Sequence, residues 1–155
     1  MPTSSSTSSA LTVPAHVLPQ RTPGQLLASA RQGLAEAAVI RSDGLRYATA
    51  HLAALRAAAA VLAARARPAP ASRNRVTNVW TLLMMVAPEF HEWAWYFAAG
   101  AHKRAAAEAG IRNVVTTREA DDLLRAAEQF VGLVEETLGE EALGVARQPT
   151  LDESA

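Results

Sequence analysis

Apolar residues recur along most of the chain at intervals of three and four, the spacing of an α-helix with one buried face. The clearest run lies in residues 44–66, where leucine and alanine predict a narrow apolar stripe. The stripe consists of Leu45, Ala48, Leu52, Leu55, Ala59 and Leu62. No segment alternates convincingly between apolar and polar residues, so the pattern predicts helices without strands.

Capping residues and prolines set the expected ends of five helices. Thr22 and Pro23 open the first helix, and Thr116 with Glu119 forms a capping box before the last one, which we expect to end at Gly139. The predicted helices span residues 23–40, 44–66, 74–86, 88–109 and 117–139. The sequence therefore predicts an all-α, up-and-down bundle of four to five helices over residues 22–139. Residues 1–21, rich in Ser, Thr and Pro, and the acidic polar residues 140–155 are expected to be disordered tails.

Composition fits a bundle and excludes some kinds of site. Half of the 155 residues are hydrophobic, but alanine dominates and only 5% are aromatic, which suits one domain of close-packed helices. The absence of cysteine excludes disulfides, thiol nucleophiles and thiolate metal sites. The start of the chain has no secretory pattern, and charge-free stretches such as residues 76–88 are too short for a bilayer. We therefore expect a cytoplasmic protein.

Charge is distributed unevenly although the net charge is zero. Residues 44–88 hold six arginines and no acid, whereas residues 119–155 hold ten acids and two arginines. The two regions could lie on opposite faces, or attract each other within the bundle or between subunits. The arginines near the predicted connection form a candidate nucleic-acid site, and a solvated basic loop is the alternative. They are Arg65, Arg67, Arg73 and Arg75.

The stretch RYATAH, residues 46–51, holds the best candidate for chemistry. A histidine can act as a general base and an arginine can stabilise a phosphate, so Arg46 and His51 could cleave a phosphodiester. On a helix the two side chains are about 140° apart. Arg46 is expected to point away from the apolar stripe and His51 to lie at its edge. The alternative is a solvated arginine beside a boundary histidine.

Other polar and aromatic residues point to a partner rather than to a metal. His91 and His102 share a helix face but lie three turns, about 16 Å, apart, so no metal site and no cofactor is expected. Trp95 should point outward, opposite Trp93, and an exposed tryptophan is typical of an interface. We predict a homodimer or protein-partner contact at Trp95.

Four segments together resemble the HEPN domain (higher eukaryotes and prokaryotes nucleotide-binding), in particular a small SAV-type branch of stand-alone proteins from high-GC bacteria. The resemblance covers about residues 22–139. The segments are ASARQGLAEA, RYATAHLAALRAAAAVLAARARP, APEFHEWAWYFAAGAHKRAAAEAG and ADDLLRAAEQFVGLVEETLG.

The resemblance implies a helical bundle that often forms dimers. Many HEPN proteins are metal-independent ribonucleases with an arginine, four to six intervening residues and a histidine, a motif that fits this chain only at Arg46 and His51. The chain departs from that motif because Tyr47 follows the arginine, and because the pair lies early in the bundle. The motif-like RNRVTN, residues 73–78, has no histidine at the required distance.

These observations lead to three functional hypotheses. The first is a noncatalytic module that binds nucleotides or RNA, or a partner protein, in a stress or toxin–antitoxin-type system. The second is a metal-independent ribonuclease in which His51 is the general base and Arg46 stabilises the phosphate. The third is a purely structural adaptor whose acidic fifth helix is the partner surface.

Overall fold

The computed structural model describes residues 12–14, 21–69 and 78–147, and within them it confirms the predicted all-α bundle. The helices are α1 (Pro23–Ala38), α2 (Asp43–Arg65), α3 (Val79–Val86), α4 (His91–Ala99), α5 (Ala101–Glu108) and α6 (Thr117–Arg147), with a 3-10 turn at Pro88–Phe90. Two short parallel strands, β1 (Thr12–Pro14) and β2 (Arg67–Ala69), are the one addition to the predicted elements. Most of the predicted N-terminal tail, and residues 148–155 of the predicted C-terminal tail, lie outside the described residues.

Helix α2 is the centre of the bundle and packs against α1, α3, α5 and α6. Its length and composition would suffice to cross a bilayer, but most of it is buried against the other helices, as in the core helix of a bundle. Alanines permit this close packing because their small side chains let neighbouring backbones approach. The buried alanines of α2 are Ala48, Ala50, Ala53, Ala54, Ala57, Ala58 and Ala60.

The predicted apolar stripe of α2 was largely wrong. Leu45 is 53% exposed, and Leu52 and Leu55 are only partly buried. Arg46, expected to point away from the core, is buried, and His51 is fully buried instead of lying at an edge. The reason is that alanines make the closest contacts between α2 and its neighbouring helices. Leu45, Leu52 and Leu55 therefore lie at the edges of the helix interface.

The predicted N-terminal caps are confirmed, whereas one helix interior and one helix end differ from prediction. Thr22 caps α1 and Thr116 caps α6, the latter in a reciprocal capping box with Glu119. The predicted fourth helix is broken at Gly100 into α4 and α5. The predicted fifth helix does not end at Gly139 but continues to Arg147, so residues 140–147 of the expected tail are helical.

Aromatic rings join α3, α4 and α6 in the core. The ring centroid of Phe97 lies 5.2 Å from that of Trp80 and 5.5 Å from that of Phe130. Trp93 lies 5.7 Å from Phe130 on the outer side of this cluster. Rings at these separations contribute about 1 kcal/mol per pair beyond their burial. Phe97 therefore ties α4 firmly to the bundle next to the break at Gly100.

The uneven charges attract each other within the bundle, one of the arrangements expected from the sequence. Arg46 of α2 lies 3.1 Å from Asp121 of α6, and Arg31 of α1 lies 2.7 Å from Glu135 of α6. Arg65 at the end of α2 contacts both Glu89 and Glu141. Arginines thus join the acidic helix to α1 and α2, and one of their partners, Glu141, lies beyond Gly139.

Candidate functional site

Arg46 holds the turn between α1 and α2. Its Nη1 donates to the carbonyl oxygens of Ile40 and Arg41, at 3.0 and 3.2 Å. Its Nη2 donates to Asp43 at 2.9 Å and lies 3.1 Å from Asp121. Both terminal nitrogens of the guanidinium are therefore engaged by protein oxygens, and its side chain is only 10% exposed.

His51 is fully buried beside α4 and its contacts determine its protonation. The Nε2–H donates to the carbonyl oxygen of Phe97 at 2.8 Å. Because a carbonyl only accepts, Nε2 carries the proton. The other ring nitrogen, Nδ1, has no hydrogen-bond partner in the described part of the chain. Burial lowers the pKa of His51, and this outweighs the opposing effect of the Phe97 hydrogen bond. His51 is therefore a neutral core residue in this conformation.

Tyr47, which also belongs to residues 46–51, lies against Gly100 at the break between α4 and α5. A Cβ placed at Gly100 would lie 2.3 Å from the Tyr47 hydroxyl and 3.6 Å from the His51 ring. Only glycine allows so close an approach. The amide of Gly100 bonds back to the Phe97 carbonyl, which also accepts from His51. Tyr47, His51 and Gly100 thus form the joint at which the predicted fourth helix divides.

The two residues of the candidate catalytic pair are brought to different places. Arg46 lies in the first turn of α2, where its side chain contacts the preceding turn and α6, whereas His51 lies on the α4 side of the same helix. A general base must come within hydrogen-bond reach of the proton that it removes. His51 has no exposed surface, so a ribose 2′-hydroxyl cannot reach it in this conformation.

The lowered pKa of His51 predicts that acid destabilises the fold. As the pH falls below about 6.5, the ordinary histidine pKa, His51 binds a proton in the unfolded chain but stays neutral in the folded chain. Stability should therefore fall with decreasing pH, by at most about 1.4 kcal/mol per pH unit for one group. Urea unfolding between about pH 7 and 5 would measure this slope.

One variant separates His51 from the other titrating groups. His51→Gln, which keeps a donor for the Phe97 carbonyl, should flatten the slope. The carboxyl groups with lowered pKa values titrate below this window. They are Asp43, Glu89, Glu119 and Glu135. An unchanged slope in His51→Gln would contradict the assignment.

Of the four arginines proposed to bind nucleic acid, Arg65 is the one whose side chain the structure describes. Arg65 is held between Glu89 and Glu141, which raise its pKa further above its usual range. Arg67 lies in strand β2, and Arg73 and Arg75 lie outside the described residues. Arg65 is therefore neutralised by two carboxylates, which makes it a poor phosphate ligand.

Trp95 is 67% exposed, in agreement with its predicted outward direction, and borders a groove of ≈ 450 Å³ between α4–α5 and α6. The groove was not expected from the sequence, although a glycine inside a helical pattern is a known signal of a close approach. Its lining consists of Tyr47, Trp95, Tyr96, Ala99, Gly100, Lys103, Glu119 and Asp122. The joint at Gly100 thus shapes the floor of a surface site.

Metal binding has no support among the described residues, where no group of three His, Asp or Glu side chains could hold an ion. His91 and His102 are both exposed and lie on separate helices, α4 and α5. The break at Gly100 separates the two helices, so the shared face expected from one continuous helix is interrupted.

Comparison with models of protein families matched residues 37–135, well over half of the chain, to the family described as HEPN_SAV_6107-like HEPN. Comparisons with curated proteins and with solved structures gave no match. The matched segment runs from the end of α1 into α6 and contains Arg46, His51 and the lining of the groove. It confirms the resemblance seen in the sequence. The chain belongs to the HEPN domain family, in its SAV_6107-like branch.

Proposed function

We propose that this protein is a noncatalytic HEPN module that acts by binding a partner. The observation that carries the proposal is the separate engagement of Arg46 and His51. The guanidinium of Arg46 binds two backbone carbonyls and two carboxylates, and His51 is buried with its Nε2–H on the Phe97 carbonyl. A residue pair that the fold uses in this way cannot also meet a phosphodiester without rearrangement.

The cost of such a rearrangement favours binding over cleavage. Freeing His51 would break its hydrogen bond to Phe97 and disturb the ring contacts that it makes with Trp80 and Phe97. Freeing Arg46 would leave the carbonyls of Ile40 and Arg41 without their donor. Each buried polar group left without a partner costs about 1–3 kcal/mol. A ribonuclease would have to recover this energy from its substrate.

The family indicates two kinds of partner, because HEPN domains often dimerise and bind nucleic acids. For this chain we propose a cytoplasmic module of a stress or toxin–antitoxin-type system, with a homodimer among its assemblies. The groove beside Trp95 supports a protein partner, because it presents exposed aromatic rings on rigid helices. The engagement of Arg65 by two glutamates weakens the arginine segment as an RNA site.

RNA cleavage tests the noncatalytic assignment. Purified protein should leave a single-stranded RNA intact in the presence of a metal chelator, because neither member of the pair is open to the substrate. Gel analysis of a labelled RNA over several hours would show this. Metal-independent cleavage by the wild type that disappears in a folded His51→Gln variant would overturn the proposal. Cleavage that is equal in both proteins would identify a contaminating nuclease and leave it standing.

A further inference from the structure

Helix α5 differs from the other helices because none of its eight residues, all of which the structure describes, is buried. Every other helix in the described part of the chain contributes buried residues to the core. Helix α5 packs mainly against α2, and the ion pair of Lys103 with Glu119 joins it to α6. Partly exposed ion pairs of this kind contribute little. A segment with so little buried surface opens at a lower free energy than the rest of a fold.

Both ends of α5 lie at glycines. Gly100 interrupts the helical backbone between α4 and α5, with φ −90° and ψ 0°. Gly110, shortly after the end of α5, has φ +82°, a conformation that glycine adopts without the steric cost that other residues meet. Backbone rotation at a few residues beside a helix is enough to move that helix as a unit. Helix α5 therefore has a possible hinge at each end.

Helix α5 covers the N-terminal part of α2, where His51 lies. At one end of the contact, a Cβ placed at Gly100 would lie 3.6 Å from the His51 ring. At the other end, a Cβ placed at Gly44 would lie 3.4 Å from the Cβ of Ala107. Displacement of α5 would therefore open a path from solvent toward the buried imidazole.

The contacts of His51 leave no favourable place for a second ring proton. Its Nε2–H donates to the Phe97 carbonyl, whereas Nδ1 has no partner within the described ranges. A proton on Nδ1 would be a buried donor without an acceptor, on a ring that also carries a positive charge. Both conditions are unfavourable away from water.

The groups that face His51 do not offset this cost. Three aromatic rings surround it, those of Tyr47, Trp80 and Phe97. Burial raises the pKa of Tyr47 to about 12, so its phenol stays neutral. Burial is the main cause of the lowered pKa of His51; from α5, the charge of Arg104 lowers it further, and the charge of Glu108 opposes this. Arg104 and Glu108 are paired with each other. A protonated His51 therefore needs water, and α5 is the weakest barrier to it.

We propose that α5 is a hinged flap that swings away from α2 at Gly100 and Gly110 when His51 takes up a proton. Local opening gives the charged ring access to water while the other helices keep their places in the core. Gly100 and Lys103 also line the groove beside Trp95, so the opening of α5 changes the shape of that groove in acid. This acid response goes beyond the proposed partner binding and does not depend on it.

Hydrogen exchange of the full chain tests whether α5 opens by itself. The reporters are amides that donate within and beside α5, such as Arg104 to the Gly100 carbonyl and Ala109 to the Ala105 carbonyl. Exchange rates are corrected for the intrinsic rate of each amide at each pH, which gives protection factors. At neutral pH the α5 amides should be less protected than those in the buried middle of α2. Equal protection would show that α5 opens only when the whole bundle unfolds, and would overturn the proposal.

The pH dependence of the same amides tests whether the opening solvates His51. Below about pH 6.5, the protection factors of α5 should fall by up to about tenfold per pH unit, because the open state binds a proton that the closed state does not. If α5 opens but leaves His51 buried, these protection factors will not change with pH. That result would contradict the proposal.

Replacement of His51 by glutamine identifies the group that takes up the proton. His51→Gln keeps a donor for the Phe97 carbonyl but has no titrating ring. In this variant the α5 amides should have protection factors that do not vary between about pH 7 and about pH 5.5. A pH dependence equal to that of the wild type would mean that another group drives the opening, and the role assigned to His51 would be wrong.

A disulfide between α2 and α5 provides an independent test, because the chain has no cysteine of its own. The Cβ separation of 3.4 Å between positions 44 and 107 is close to that of a disulfide, about 3.8 Å. In the double variant Gly44→Cys, Ala107→Cys, oxidation should raise the protection of the α5 amides by about tenfold or more. The reduced form of the same protein is the matched control and should show the pH dependence of the wild type. Equal exchange in the two forms would show that α5 does not have to leave α2, and would refute the flap.

Discussion

Replacement of Arg46 by alanine is expected to lower the free energy of unfolding by about 3 kcal/mol. The guanidinium is buried and supplies the donors for the Ile40 and Arg41 carbonyls at the turn between α1 and α2. Without it these oxygens, together with Asp43, lose a charged donor. Urea unfolding at neutral pH, followed by circular dichroism, would measure the loss.

Two further variants show which contacts of Arg46 matter. Asp121→Asn should cost less than about 1 kcal/mol, because the Asp121 side chain is 49% exposed and exposed ion pairs contribute little. Arg46→Lys should restore only part of the lost free energy of unfolding. One ammonium group cannot replace the planar guanidinium, which contacts two carbonyls and two carboxylates. Arg118→Ala, at a side chain 90% exposed, is the matched control and should be nearly neutral.

The Arg46 result also bears on function. A catalytic arginine is usually dispensable for folding, so an Arg46→Ala protein that keeps its full stability would argue that this side chain is held for a substrate. A large loss of stability supports the structural role instead. Any loss of binding or cleavage in this variant must therefore be compared with its folded fraction at the assay temperature.

The starts of α1 and α6 were predictable from the sequence because they depend on local chemistry. The caps at Thr22 and Thr116 bond to amides three residues away, so the signal and the structure lie in the same few residues. The bundle was predictable for a similar reason, since the apolar periodicity of each helix is local. The outward direction of Trp95 followed from its angle to Trp93 on the same helix.

The candidate site was not predictable in detail because its geometry depends on contacts between distant residues. The burial of Arg46 depends on carbonyls at the end of α1 and on Asp121 in α6. The break at Gly100 depends on Tyr47 and His51, which precede it by about fifty residues. Periodicity along one helix contains no information on such neighbours. The sequence pattern therefore predicted that Arg46 faces solvent, and it did not indicate the groove beside Trp95.

Replacement of Gly100 by alanine is the second change with a large expected effect, a loss of about 2 kcal/mol in the free energy of unfolding. The backbone of Gly100, with φ −90° and ψ 0°, is accessible to alanine, so strain in the backbone is not the cause. The cause is the new methyl group, which would lie 2.3 Å from the hydroxyl of buried Tyr47. Thermal or urea unfolding would measure the loss.

A second substitution tests this cause directly. Tyr47→Phe removes the hydroxyl, after which the nearest Tyr47 ring atom to the new methyl group is Cζ at 3.4 Å, a tight but tolerable contact. Gly100→Ala in the Tyr47→Phe background should therefore be nearly neutral, and the double-mutant cycle should give a coupling of about 2 kcal/mol. Gly139→Ala is the control of opposite sign, because nothing lies within 4 Å of the new Cβ in α6. That control should stabilise the helix by up to about 1 kcal/mol. If Gly100→Ala behaved like Gly139→Ala, the Tyr47 hydroxyl would not lie against the joint, and the stretch RYATAH would lose its assigned role in shaping the groove.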